Sequence, residues 1–255
     1  MRKLEQLALS IQHYFQSKGK YRLHSDLAYR LYTEVHNEQK IALADHWNSS
    51  WADDLPSYRK KDFGTGKDQR LIDVIKHKKA ASTTLEVQRL HNLVSFYKAR
   101  NVLELGGHFG RGTFAMGSAL EREGTSITSI EGCPETIEVA KVYLNEGELL
   151  NYTILEGAFA SVLKNLAKTN KSYDLIYIDG HHTAEALLDL IPICHSLLNE
   201  KGVIAVDDIF WNYAVHKAWR KSIQRTKPWA SFEFLNFGYM FFDTKGLNQQ
   251  FFKLW

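Results

Sequence analysis

From Asn101 onward the chain alternates short apolar runs with amphipathic stretches. NVLEL (101–105), SITSIE (126–131), NYTILE (151–156), YDLIYID (173–179) and GVIAVDD (202–208) read as strands, and helical spacing fills about 111–122, 134–147, 159–169, 183–199 and 211–225. Near-continuous apolar strands interleaved with helices predict a parallel sheet covered on both faces, and right-handed crossovers make it doubly wound. SFEFLNF and YMFFDT, parted only by Gly238, read as an antiparallel pair closing one edge, with FFKLW as an added edge or packing segment. The first hundred residues lack this rhythm. Leu4, Leu7, Ala8, Ile11 and Phe15 recur at helical spacing, as do Leu85, Val87, Leu90, Leu93, Val94 and Tyr97. Between them HWNSSWADDLPSYRKKDFGTGKDQR, with Pro56, Gly64 and Gly66, reads as loop, and its GTGK piece lacks the spacing of a phosphate-binding loop. The expectation is a helical extension or lid over residues 1–84 and an α/β domain over 85–255. That domain is a doubly wound, mostly parallel seven-stranded sheet with antiparallel C-terminal strands.

Composition narrows the class. The 255 residues are 44% hydrophobic and 24% charged, an ordinary globular balance that excludes disorder and a small disulfide scaffold. Two cysteines, Cys133 and Cys194, make no CxxC pair, so a reducing cytoplasm is the default location. Glu5, Gln6, Gln12 and His13 break the N-terminal apolar pattern, so it does not read as a signal peptide, and no run approaches the ~20 residues of a membrane span. The net charge of +3 divides into +7 over residues 1–100 and −4 over 101–255. The basic residues are scattered among acids, which favours a solvated helical surface over a nucleic-acid or membrane footprint.

In open α/β sheets ligands sit beyond the carboxyl ends of the strands. The first strand there ends in Glu104-Leu105-Gly106-Gly107-His108-Phe109-Gly110-Arg111-Gly112-Thr113, and the second ends in Glu131, 27 residues after Glu104. Glycines permit close backbone approach, and an acid at the second position accepts the hydroxyls of a ribose. These features fit NAD or S-adenosylmethionine. The dinucleotide fingerprint G-x-G-x-x-G fails, because His108 and Arg111 stand where its second and third glycines belong.

The loop resembles that of the class I S-adenosylmethionine-dependent methyltransferases. Its E-L-G-x-x-x-G-x-(S/T/G) spacing is similar to catechol-type and caffeoyl-CoA-type O-methyltransferases. Asp179-Gly180-His181-His182-Thr183-Ala184-Glu185, followed by Asp189-Leu190, resembles the D-G-x-H-(S/T)-Y-E-x-x-x-D-L motif of macrocin-type enzymes, and Asp207-Asp208 resembles the acidic pair of metal-dependent members. The resemblance covers about residues 85–243. It implies S-adenosylmethionine as cofactor, with Gly106, Gly107, His108, Gly110 and Thr113 around the methionine end. Glu104 would hold the ammonium, Glu131 the ribose, and Gly157 and Ala158 would lie near the adenine. Asp179 would sit near the methyl group.

Asp179, Asp207 and Asp208 form an oxygen-only set suited to Mg²⁺ or another hard divalent cation, provided that the chain turns between the last two. His182 is the candidate general base, histidine having a reference pKa near ~6.5. Bland alternatives stay open: strand-end charges for the two glutamates, a helix cap for His108 or Asp208, and a polar loop contact for His182. Ala184 replaces the motif's tyrosine, which puts that contact in doubt. Trp211 is a candidate acceptor-pocket residue, and Tyr21, Trp47, Trp51 and Tyr58 are candidate lid walls. The expected enzyme methylates oxygen of a small-molecule acceptor. Rival readings are transfer to nitrogen or RNA, a non-catalytic cofactor-binding protein and an NAD-dependent dehydrogenase. Nucleic acid is disfavoured because the N/D-P-P-(Y/F) tetrad of amino-methylating enzymes is missing. Oligomeric state stays open, a homodimer being the commonest closed assembly.

Overall fold

The computed structural model describes residues 2–19, 25–36, 46–60, 70–79, 82–120, 123–180, 182–235, 237–243 and 249–254. The first elements are α1 (Arg2–Gln16), α2 (Asp26–Arg30), β1 (Tyr58–Lys60), β2 (Arg70–Ile72), α3 (Val74–Lys79) and α4 (Thr84–Tyr97). The alternating part follows as β3 (Asn101–Leu105), α5 (Arg111–Ser118), β4 (Ser126–Glu131), α6 (Pro134–Glu146), β5 (Tyr152–Glu156), α7 (Phe159–Leu166), β6 (Tyr173–Ile178), α8 (Ala184–Ser196), β7 (Leu198–Val206) and α9 (Tyr213–Thr226). The chain closes with β8 (Ala230–Glu233), β9 (Gly238–Phe241) and β10 (Gln250–Lys253). This is the expected mostly parallel α/β arrangement, with antiparallel strands toward the C-terminus and a helix at the N-terminus.

Two compact units divide the residues: Val35–Val162, and Met1–Glu34 together with Leu163–Trp255. In the first, β3, β4 and β5 pair in parallel and in step, so that Asn101 lies beside Ser126 and Glu104 beside Ser129. β3 and β4 are almost wholly buried, as strands covered on both faces should be, whereas β5, paired among the described residues with β4 alone, is half-exposed. The stretch expected as loop contributes more than a loop here. It opens with a 3₁₀ turn at His46–Asn48, contains β1 and runs into β2, its antiparallel partner, and Trp47 and Trp51 are buried against Phe109 and Tyr143. These two indoles, proposed as lid walls, are therefore core: their apolar area is worth more inside than exposed. Tyr21 and the GTGK piece lie outside the described residues.

In the second unit β6 and β7 pair in parallel, and β9 pairs antiparallel with both β7 and β8. Gly238 is the first residue of β9 and not the turn. A Cβ there would lie 2.6 Å from the buried Trp219 ring, so the indole explains the glycine. The C-terminal aromatic segment forms β10, parallel to β8, which brings the alternating and C-terminal strands among the described residues to eight, one beyond the seven expected. On α1 the buried residues are Leu9 and His13. The His13 ring pairs through Nε2 with the Leu254 carbonyl at 2.7 Å and packs on Phe210. The apolar residues that gave the helical spacing lie on its outer face.

Candidate active site

The loop after β3 is built around one buried carboxylate. Glu104 is 1% exposed, and its Oε2 accepts hydrogen bonds from the hydroxyls of Thr113 and, at 2.7 Å, Ser129. A Cβ on Gly112 would stand 2.6 Å from Glu104 Oε1, and one on Gly107 would stand 2.2 Å from Ser129 Oγ. The two glycines thus leave room for the carboxylate and its donors. Desolvation raises the Glu104 pKa. The two hydroxyl bonds oppose that shift and the charge of Glu131 adds to it. A desolvated anion with donors on one oxygen fits a cationic ligand group such as an ammonium.

Glu131, at the end of β4, fastens the neighbouring turns. Its Oε1 accepts from the backbone N–H of Gly132 (2.9 Å) and Cys133 (3.1 Å), and its Oε2 accepts from that of His108 (3.2 Å). Oε2 retains capacity for a ligand hydroxyl, so the residue fits a ribose contact while holding the glycine loop. Gly157, with φ of 145°, donates its N–H to the Glu131 carbonyl, and Ala158 opens α7 by accepting from Ser161 and Val162. Gly106 (φ 101°) donates to the Ile130 carbonyl, and Gly110 (φ 83°) begins α5. His108 is half-buried at φ 44°, and burial, aided by the charges of Lys60 and His77, brings its pKa down to about 3. A left-handed histidine held by its N–H on Glu131 is backbone strain in the glycine loop. Arg111 is tied to the Ser82 carbonyl and the Thr84 hydroxyl and lies over the Trp47 ring. Tyr58, the remaining lid candidate, bonds Thr136 at 2.7 Å beside the turn that follows Glu131.

At the ends of β6 and β7 a second cluster forms. His182 Nε2 lies 3.9 Å from Asp179 Oδ1 and its Nδ1 lies 3.8 Å from Asp208 Oδ2, with Trp211 stacked on the imidazole at 4.9 Å. The chain does turn between the paired acids, since Asp208 has φ of 53°. Asp207, however, is engaged locally: it accepts from the Asp208 N–H at 2.8 Å and the Tyr177 hydroxyl at 3.3 Å. Asp208 does not cap the next helix, because Asn212 does so through the Val215 N–H. Among the described residues no group of three or more His, Cys, Asp or Glu side chains is disposed to hold a metal ion. No step below depends on a cation. His181 lies outside the described residues.

Sequence reasoning had overlooked Ser129, Gly112 and Tyr177. Ser129 was detectable: it is the fourth residue of its strand, as Glu104 is of the first, and in-step parallel pairing sets them side by side.

Residues 103–209 match the sequence profile of a methyltransferase domain, which spans both clusters. That segment is similar to methyltransferase domains. The fold of the chain is similar to the SAH-bound methyltransferase PaMTH1 from Podospora anserina, with 15% identity and a TM-score of 0.56 over 86% of this chain and 96% of that one. It is also similar to a cofactor-bound protein from MTB, with 20% identity and a TM-score of 0.55 over 85% and 95%. The O-methyltransferase TomG from Streptomyces achromogenes, in complex with SAM, shares 20% identity at a TM-score of 0.51 over 58% of this chain and 68% of its own. No curated protein matches the sequence. Among the described residues no helix is long and apolar enough to cross a membrane.

The carboxylate pocket makes one packing test direct. Gly107→Ala is expected to push the Ser129 hydroxyl off Glu104 and cost about 1–3 kcal/mol of stability. Adding Ser129→Ala should cost nothing further, because the hydroxyl has already been displaced. Thermal denaturation of the two single variants and the double measures this, and fully additive losses would show that the two groups do not meet.

Proposed function

We propose that the protein transfers the methyl group of S-adenosylmethionine to an oxygen of a small-molecule acceptor. The observation that carries the oxygen assignment is the His182 imidazole, set between the carboxylates of Asp179 and Asp208 and stacked on Trp211. A hydroxyl is a poor nucleophile until its proton leaves. An imidazole takes that proton through one nitrogen, and the carboxylate beside the other stabilises the cation that results. The distances of 3.8 and 3.9 Å exceed direct hydrogen bonds, so the ring is positioned without either nitrogen being locked to these two acids. Trp211 fixes the plane of the ring, and the turn at Asp208 brings its carboxylate to Nδ1.

When bound, S-adenosylmethionine supplies a methyl group activated on a sulfonium. Glu104 would hold its ammonium group, Glu131 its ribose hydroxyls, and the loop from Gly106 to Gly110 would lie against the methionine portion. Gly157 and Ala158 would border the adenine. Alignment by such residues is worth roughly 7–11 kcal/mol in a displacement reaction. Residues 1–84 serve in this reading as an extension to the α/β domain, with Tyr58 supporting the ribose-side turn. The site is proposed to act on a small molecule in a reducing, cytoplasmic setting, in keeping with Cys133 and Cys194 as buried free thiols.

Calorimetry and a hydroxyl-acceptor screen test the reading together. The expected result is micromolar binding of S-adenosylmethionine and S-adenosylhomocysteine, with release of the latter when phenols, catechols or sugar alcohols are supplied. If neither compound binds at high micromolar concentration, the assignment fails. Turnover only with amines or RNA would reassign the acceptor.

A further inference from the structure

Helix α1 is apolar on two sides. One side carries the buried Leu9 and His13. On the other, Leu4, Leu7, Ile11, Tyr14 and Phe15 remain 71%, 56%, 49%, 56% and 81% exposed. Leu4, Leu7, Ile11 and Tyr14 follow the spacing of a heptad seam and Phe15, four residues after Ile11, borders it, which places them along one stripe of the helix. Monomeric proteins rarely leave a contiguous apolar patch larger than roughly 300–600 Å². With about 150–250 Å² available to a large aromatic and somewhat less to leucine, these exposures amount to on the order of 600 Å². We propose that the stripe is the docking surface for a second copy of this chain, the two α1 helices packing face to face about a two-fold axis.

Area and charge select this occupant. Pairing two such stripes removes about 1,200 Å² from water, which reaches the lower limit of specific interfaces. Ala8, Ser10 and Gln12 border the stripe without charge, and the charges near it are Arg2, Lys3 and Glu5 in the first turn of the helix and Lys18 just past its last. Between residues 6 and 17 the chain carries no Asp, Glu, Lys or Arg, so two identical helices meet over that span without like charges opposed. An interfacial helix on anionic lipid would instead carry lysine and arginine along its polar face. Here Leu9 and His13, on the opposite side, are packed on protein. A two-fold arrangement makes the contact self-complementary and closed.

Sedimentation velocity on the full chain at about 50 µM, well above the Kd of a micromolar contact, provides the test. The expected species has twice the 29.4 kDa chain mass. The double variant Leu7→Glu/Ile11→Glu should weaken association at least 100-fold while keeping the wild-type circular dichroism. Phe15→Ser, a milder change at the most exposed position, should weaken it measurably if the double variant folds poorly. Leu150→Glu, at a residue 92% exposed elsewhere on the chain, should leave association unchanged. A wild-type monomer at this concentration overturns the proposal, as do stripe variants that pair like the wild type. Monomeric wild type that pellets with phosphatidylcholine–phosphatidylglycerol vesicles, and loses this with the double variant, overturns it in favour of a bilayer.

Discussion

Glu104→Gln should bind S-adenosylmethionine roughly 30- to 1,000-fold more weakly than the wild type, a loss of about 2–4 kcal/mol, yet melt at the same or a higher temperature without ligand. Both halves follow from the same atoms. The carboxylate is almost fully buried, and burial raises its pKa despite the hydroxyls of Thr113 and Ser129. Its ionised form is therefore a cost to the empty protein and an asset only opposite a cation. A folded-state pKa above the unfolded one means that the folded protein holds the proton more tightly. The wild type is then favoured below the unfolded carboxylate value and loses that advantage as pH rises through the folded value. Glutamine keeps an acceptor for the two hydroxyls and does not titrate. The stability gain of Glu104→Gln should accordingly grow from about pH 4 toward neutrality. Calorimetric titration gives the affinity, and denaturant melts across pH give the stability. A variant that binds normally, or one that loses stability at neutral pH, would show that Glu104 is a structural strand-end charge.

His182→Ala should lower kcat by roughly 10²–10⁴ while leaving the cofactor Kd within a factor of two or so, the span expected for a positioned general base. The ring sits 3.8–3.9 Å from two carboxylates and against Trp211, so its removal empties a small pocket without stranding a buried charge: all three ionisable side chains are a quarter to a third exposed. The pH–rate profile separates this role from a merely structural one. The acid limb imposed by protonation of the base should vanish in the variant, whose residual rate should climb with hydroxide. Asp208→Asn, which leaves His182 in place, should give a smaller loss and retain the limb. Full turnover by His182→Ala in mildly acidic buffer would refute the assignment.

The alternation of strand and helix was legible because β3, β4, β6 and β7 are buried on both faces, and burial writes continuous apolar runs into the chain. Boundaries at β3 and β4 coincide with the runs NVLEL and SITSIE. β7 departs because Leu198–Lys201, polar in part, pair irregularly with the start of β6 and extend the strand at its beginning. β1 and β2 were missed since three-residue strands carry too short a period to register. Gly238 misled because a glycine between aromatic runs usually marks a turn, and nothing local announces that Trp219 needs the space. At the site, Glu104, Glu131 and the glycines were readable as strand-end features. What sequence did not disclose is allegiance: Thr113 serves Glu104, Glu131 holds three backbone amides, and Asp207 turns to Tyr177. Such partnerships depend on register and on side-chain direction, which spacing alone does not encode.

The carboxylate beneath Gly107 and Gly112 also bears on how this protein should be engineered. A campaign that selects heat-resistant variants in ligand-free buffer would enrich neutral residues at position 104, since each relieves an unfavourable charge. The hardiest clones would then be catalytic blanks. Selection in saturating methyl donor would reverse that ranking and keep the acid.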